Sequence, residues 1–315
     1  MDLVADEWRQ AGGEVVAPRA ASDTQLSRVH DEDYLRRVAA TSGRSTALDP
    51  DTFTSPESVR VAHLAAGAAI EAVERVMGGR QRRALALLRP PGHHAERNRA
   101  MGFCLYNNAA VAAAHARSLG AHRVAVVDYD VHHGNGTQHI FEADPNVLYV
   151  SLHQYPFYPG TGAAKEIGTG NGLGFTVNVP LEVGAMNEDY RLVFANVVDP
   201  VLRAFKPELL IVSAGFDAHE HDPLAGMRLT AEAFGAMTHD LRAVADECCG
   251  GRLLALAEGG YDLKALRDSL QAVIAALGPA ERPAIKWPEP GDDAPRRGRA
   301  SVEQTRAALS AHWKF

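Results

Sequence analysis

Four apolar residues run straight into a dense polar cluster at Val124-Ala125-Val126-Val127-Asp128-Tyr129-Asp130-Val131-His132-His133-Gly134-Asn135-Gly136. An unbroken apolar run closed by Gly and polar residues predicts a buried strand of a parallel sheet. Open sheets of that kind carry their chemistry just past the carboxyl ends of the strands. Residues i and i+2 at a strand end point the same way, so the Asp130 carboxylate and the His132 imidazole can meet one metal ion. Asp128 lies on the same side, one step back. A merely solvated strand end is the plain alternative. Four more polar clusters sit at strand ends, which argues against it.

His93 and His94 follow the apolar residues 84–88 in a Pro/Gly turn. Ser151, Leu152 and His153 end the run 147–152, Asp217 and His219 follow 209–213, and Glu258 to Tyr261 follow 253–257. No helix start is expected at Asp217, so its carboxylate has no capping role and is expected to bind metal. Asp130, His132 and Asp217 make a set of two carboxylates and one imidazole with open positions. Such mixed O/N ligation suits catalytic Zn²⁺. Fe²⁺ uses the same donor types, so the donors alone leave both metals open.

Strands are expected at residues 84–88, 124–127, 147–152, 175–179, 209–213 and 253–257. Helices are expected at 104–119, 136–142, 187–205, 231–249 and 263–277. A long Ala-rich helix should run from Ser55-Pro56 to about Gly78, with Ser55 before Pro56 as cap and first turn. This alternation predicts a single-domain α/β fold, a central mostly parallel sheet with helices on both faces. The polar start suggests a short strand at 14–18, a helix at 24–40 and an Asp/Pro loop at 48–52. Residues 1–278 are read as the catalytic domain. Residues 279–315 are read as an exposed tail with a short helix at 302–312, which would dock on the domain or on another subunit of a homo-oligomer.

Composition narrows the function classes. The chain has 315 residues and 46% apolar content, ample for a core, and its net charge of −7 speaks against a nucleic-acid surface,. Three cysteines are too few for a disulfide framework, which fits a reducing cytoplasm,. The stretch MDLVADEWRQ has no basic region followed by an apolar core, so no secretory leader is expected,. No apolar run approaches the ~20 residues that span a bilayer, so no membrane role is expected.

In this order, RPPGHHA (89–95), GFCLYNN (102–108), DYDVHHGNGTQ (128–138), SLHQYPFYPGTG (151–162), GFTVNVP (174–180), SAGFDAHEHDPLAGM (213–227) and AEGGY (257–261) resemble the histone deacetylase superfamily, of the arginase/deacetylase fold. The likeness covers roughly residues 50–275. RPPGHH and EGGY are closest to the class II branch and its bacterial relatives, which include acetylpolyamine amidohydrolases. The resemblance implies Asp130, His132 and Asp217 as metal ligands and His93 and His94 as the tandem catalytic histidines. Asp128 and Asn135 would orient these two imidazoles, and Tyr261 would be the catalytic tyrosine. Phe103 and Tyr158 would wall a substrate tunnel, with Gly102, Leu224 and Asp51 also binding substrate. A structural K⁺ would take Asp128, Asp130, His132, Ser151 and Leu152, and a second one Phe141, Asp144, Val147 and Phe175. Relatives begin with a strand and a His-Pro-Glu-rich segment that find no match here, so an edge strand and one rim loop are expected to be missing.

The implied activity is metal-dependent hydrolysis of N-acetylated amines. The expected substrates are acetyl-lysine in proteins or peptides, with an acetylated small amine such as an acetylpolyamine as the alternative. A relative that prefers acetylpolyamines carries Glu where this chain has Leu224. An arginase-like enzyme would need a second metal, and His219 stands where it would need Asp. A non-catalytic acetyl-lysine binding module would have no use for Tyr261 and His94. A metal-dependent regulator would need a DNA-binding motif or basic patch, and none is visible.

Overall fold

A computed structural model describes residues 2–10, 12–278, 284–289 and 295–315. Helices α1 (Asp2–Gln10), α2 (Asp23–Leu26) and α3 (Glu32–Ala39) come first, then an antiparallel hairpin of β1 (Thr46–Asp49) and β2 (Thr52–Thr54). After the long helix α4 (Ser58–Met77) come β3 (Arg83–Ala86), α5 (Asn108–Ser118), β4 (Val124–Asp128), α6 (Asn135–Phe141), β5 (Val147–Gln154) and β6 (Thr176–Leu181). The chain continues through α7 (Asn187–Val193), α8 (Asp199–Phe205), β7 (Leu209–Ala214), α9 (Ala231–Cys249), β8 (Leu253–Ala257), α10 (Leu263–Leu277) and α11 (Arg296–Leu309).

Strands β3 to β8 form one sheet in the order β3-β8-β7-β4-β5-β6, with every pair parallel. Alternate residues feed two cores. Ala125, Val127, Leu148, Val150, Leu210 and Val212 pack with α7 to α11. Val124, Val126, Val147, Tyr149, Leu209 and Ile211 pack with α4 and α5 on the other face. Both faces are covered, which is why these strands are near-continuous apolar runs.

From β4 the chain builds outward through β5 and β6, then returns to lay β7 on the other side of β4. Where strand order reverses in this way, a crevice opens beyond the carboxyl ends of the two strands. Asp128 of β4 is in register there with Ser213 of β7. The topology thus brings the polar ends of β4 and β7 together.

The six expected strands all form, and the differences lie elsewhere. Residues 14–18 form no strand. A cavity of about 520 Å³, lined by Trp8, Val15, Val16 and Leu85 among others, lies between them and β3, so β3 pairs with β8 alone. The expected helix over 24–40 is two helices, because His30 turns inward. Its Nδ1 donates to the Glu96 carbonyl (2.9 Å) and its Nε2 accepts the Asn107 N–H (3.0 Å). The expected loop at 48–52 belongs to the β1–β2 hairpin. Helix α4 starts at Ser58, whose hydroxyl accepts the Ser55 N–H at 2.8 Å. Helix α5 starts four residues later than expected, where the Asn107 side chain accepts the Ala110 N–H at 2.9 Å. The 187–205 helix contains a wide π turn, Phe194–Val198, just before Pro200, which has no N–H to continue a regular ladder,.

Helix α11 spans Arg296–Leu309 rather than 302–312. It docks on the domain: Ser301 Oγ donates to Pro180 O (2.6 Å), Thr305 Oγ1 to Asn178 O (2.8 Å), and Val302 and Leu309 join the core. Part of the expected tail, residues 279–283 and 290–294, lies outside the described residues. Among the described residues no helix is long and apolar enough to cross a membrane.

Candidate metal centre and active site

The ends of β4, β7 and β8 and the loop after β3 converge on the crevice. Asp130, His132 and Asp217 offer donor atoms that all lie within 4.8 Å of one another. His132 turns Nδ1 inward, 3.1 Å from Asp130 Oδ1 and 3.2 Å from Asp217 Oδ2. Asp217 Oδ1 accepts the Val131 N–H at 2.9 Å. Its Oδ2 is buried and has no aligned hydrogen bond among the described residues, the contact with His132 being close but off-axis. A buried carboxylate oxygen left in that state is a ligand atom suited to a cation. Two glycines make the cluster possible. A Cβ on Gly215 would lie 2.1 Å from Asp130 Oδ2, and one on Gly259 would lie 2.1 Å from Asp217 Oδ2. Two carboxylates and one imidazole, open on one side, fit a divalent metal such as zinc.

The electrostatics agree. Burial, then the neighbouring Asp130, push the Asp217 carboxyl up to about 6. Burial opposes the charge on His132, yet hydrogen bonds to Asp130 and Asp217 raise it to about 10. Burial also opposes the charge on Asp130, but His93 and His132 hold that carboxyl below the usual range. The two carboxylates thus share a demand for positive charge that a divalent ion meets.

The tandem histidines are set in opposite states. His93 Nδ1 lies 3.1 Å from Asp128 Oδ2, which also accepts the Tyr149 hydroxyl at 3.0 Å. Burial works against protonation of His93, but Asp130 and Asp128 hold its pKa well above the ordinary value. His94 Nδ1 lies 2.8 Å from Asn135 Oδ1. Burial first, then the positive neighbours His93 and His132, push its pKa well down. The rings are 4.0 Å apart. The surroundings thus favour a proton on His93 and disfavour a second one on His94.

A cavity of about 140 Å³ leads to this cluster. Asp51, His93, His94, Gly102, Phe103, Asp130, His132, Tyr158, Asp217, Leu224 and Tyr261 all line it. Gly102 (φ 57°) and Phe103 (φ 67°) are both left-handed, the signature of a type I′ turn,. The Asp51 carboxylate accepts the Gly102 N–H (3.2 Å) and Thr52 Oγ1 the Phe103 N–H (3.1 Å). A left-handed aromatic is strained, and the turn holds the Phe103 ring at the mouth. Tyr158 stands edge-on to His94, with centroids 5.1 Å apart. Asp128 and Asn135 sit behind the histidines. Ser151 and Leu152 are buried in β5 away from the cavity.

Sequence reading gave no role to several contributors. Glu258 Oε2 accepts the N–H groups of Gly92 (2.6 Å) and His93 (3.3 Å), and Oε1 accepts the Ser213 hydroxyl (3.1 Å). Burial pushes this carboxyl up to about 7. Asp222 Oδ2 accepts the Tyr261 N–H at 2.7 Å and so fixes the tyrosine's backbone. Phe157 stacks on His132 at 5.4 Å. The only sequence signal was that Glu258 and Asp222 lie within motifs already singled out; their partners are distant in the chain.

The histone deacetylase domain family matches residues 2–277. Histone deacetylase 15 of Arabidopsis thaliana is 45% identical over 264 residues, covering 82% of this chain and 47% of that protein. The human polyamine deacetylase HDAC10 is 41% identical over 332 residues, covering 98% of this chain and 48% of that protein. The chain thus spans about half the length of these two relatives. The crystal structure of the HDA15 HD domain superposes with a TM-score of 0.89 at 38% identity, covering 99% of this chain and 86% of that one. With its arginase/deacetylase fold and a cluster of Asp130, His132 and Asp217 able to hold a metal ion, the chain belongs to the histone deacetylase family of deacetylases and amidohydrolases.

Proposed function

We propose that this chain is a zinc-dependent deacetylase that hydrolyses the acetyl amide of lysine side chains in proteins or peptides. One observation carries the reading: a narrow aromatic-walled cavity ends on the Asp130, His132 and Asp217 cluster, flanked by a histidine on a carboxylate, a histidine on an amide, and a tyrosine. A divalent ion held by Asp130, His132 and Asp217 would act as a Lewis acid toward the amide carbonyl and a water. Neutral His94, its Nε2 lone pair facing the cavity, takes a proton from the attacking water. It then returns that proton to the leaving amine as the C–N bond breaks. Tyr261 donates a hydrogen bond to the developing oxyanion. Cationic His93, anchored on Asp128, supplies positive charge beside the reacting water. Phe103 and Tyr158 pack on the methylenes of the lysine side chain.

Fe²⁺ in place of zinc is a variant of the same reading. A structural K⁺ under the site is part of the proposal. His153 Nε2 faces the Gly162 carbonyl (2.8 Å) and must donate there, so its Nδ1 accepts from the Ser151 hydroxyl (2.9 Å). That leaves Ser151 oxygen lone pairs for a cation, together with main-chain oxygens of Asp128, Asp130, His132 and Leu152. The catalytic unit is read as residues 1–278, and free cysteines support a reducing, cytoplasmic setting,.

The acetylpolyamine alternative rests on the likeness to the human polyamine deacetylase. Leu224 speaks against it. It lines the mouth, and an alkyl group cannot offset desolvation of a second ammonium. The test measures kcat/KM for acetyl-lysine peptides and N8-acetylspermidine on wild type and Leu224→Glu, with metal content by elemental analysis. Peptide preference in wild type and a shift toward the polyamine in Leu224→Glu are expected. Polyamine preference in wild type would overturn the lysine assignment. A full metal complement in an Asp217→Ala variant would remove Asp217 from the ligand set.

A further inference from the structure

Asn135 can serve His94 only with its amide turned the right way round. With Oδ1 toward His94, Nδ1 carries the hydrogen and Nε2 keeps its lone pair for the water. With the amide flipped, the NH₂ group faces Nδ1, and the proton is driven to Nε2, where it blocks the base. Nothing in Asn135 itself chooses between the two.

Glu96 dominates the choice. Asn135 Nδ2 donates to Glu96 Oε1 at 2.5 Å and, at longer range, to Met101 Sδ (3.3 Å) and the His94 main-chain carbonyl (3.4 Å); the short bond to a charged acceptor outweighs the other two. A carboxylate only accepts, so the NH₂ group must face Glu96 and Oδ1 must face His94. The same Glu96 oxygen receives His139 Nδ1 at 2.9 Å. The hydrogen bond to Glu96 is the main cause that raises the His139 pKa, with burial opposing it and Glu142 and Glu166 adding to it. The result is an unbroken line, His94–Asn135–Glu96–His139. It runs from His94, 4% exposed, through a Glu96 side chain 12% exposed, to a His139 side chain 40% exposed. The Glu96 main chain is held as well, by the Arg99 carbonyl and by His30 Nδ1.

We propose that Glu96, held by His139, is the positioning residue that sets the Asn135 amide and thereby the His94 tautomer. The inference rests on the deacetylase reading for its kinetic arm and stands apart from it in its spectroscopic arm. Glu96 touches no reacting atom.

The test uses the zinc-loaded enzyme and an acetyl-lysine peptide. Glu96→Ala should lower kcat about 10–100-fold, the range for loss of an outer partner, with KM and metal content unchanged. In an Asn135→Asp background both side-chain oxygens are acceptors and no amide remains to be oriented. There Glu96→Ala should leave kcat unchanged or raise it, since it relieves repulsion between Asp and Glu. An equal fall in both backgrounds means a merely structural role and overturns the proposal. A second readout needs no variant: ¹⁵N NMR of the wild-type His94 ring should show hydrogen on Nδ1. Hydrogen on Nε2 overturns the proposal even if the variants do not fold. If wild type hydrolyses no acyl amine, the deacetylase reading fails, while the His94 tautomer compared in wild type and Glu96→Ala still tests Glu96: hydrogen moving in part to Nε2 in the variant supports the proposal, and hydrogen on Nδ1 alone in both overturns it.

Discussion

At the scale of single residues, the site separates charge from proton transfer. His93 and His94 are neighbours in sequence, and their rings nearly touch. Their partners differ by one atom type: a carboxylate behind His93 and an amide behind His94. Tyr261 is the third functional group. Burial, then Asp130 and Asp217, push its pKa up, so it remains a phenol and a donor throughout the physiological range. Tyr261→Phe removes that donor and leaves the metal ligands intact. Turnover should fall ~10²–10³-fold, with KM little changed because the bond strengthens only as charge develops. Steady-state kinetics with metal analysis checks this, and near-normal turnover would mean the metal alone stabilises the oxyanion. Asp130, His132 and Asp217 were legible from sequence because a strand end fixes the i, i+2 geometry. Glu96, Asp222 and Glu258 were not, because each acts through hydrogen bonds to residues 39 to 166 positions away. No local pattern encodes such pairings.

At the scale of elements, legibility follows burial. The six central strands were readable because a strand covered on both faces is an uninterrupted apolar run. The β1–β2 hairpin was not. It is small, half exposed and built from Thr and Asp, a composition shared with loops. Helix α4 shows what a pattern can still say: an Ala-rich sequence suits close packing. Gly67 is the extreme case, since a Cβ there would lie 1.7 Å from the Arg19 carbonyl oxygen. That contact is with backbone and cannot be relieved by a rotamer change. Gly67→Ala should therefore destabilise the fold by about 1–3 kcal/mol through overpacking, despite the better helix propensity of Ala. A denaturant midpoint equal to or above wild type would mean that the 19–21 segment yields freely.

At the scale of the whole molecule, buried neutral histidines tie distant segments together and make stability depend on pH. His30 links the α2–α3 connection to the Glu96 loop and to the cap of α5. His153 links β5 to the Gly162 carbonyl in the loop that carries Tyr158. Burial is the main cause that lowers each to about 4, opposed by the hydrogen bond each makes to a main-chain carbonyl. The unfolded chain takes up a proton on each near the ordinary value of about 6.5. The folded chain does so only near 4. Their stabilising contribution is therefore whole above pH 6.5 and is lost as the pH falls from 6.5 to 4, by on the order of 1 kcal/mol per pH unit for each. His30 is the better test because it lies away from the metal ligands. His30→Gln should be less stable than wild type at pH 7, for loss of its bonds. Its stability should then fall less steeply between pH 6.5 and 4, by the equivalent of about one proton. Urea denaturation of both proteins across that range measures the two slopes, with the metal contribution common to both. Equal slopes would show that His30 is protonated in the folded chain, and that the link to Asn107 breaks before the molecule does.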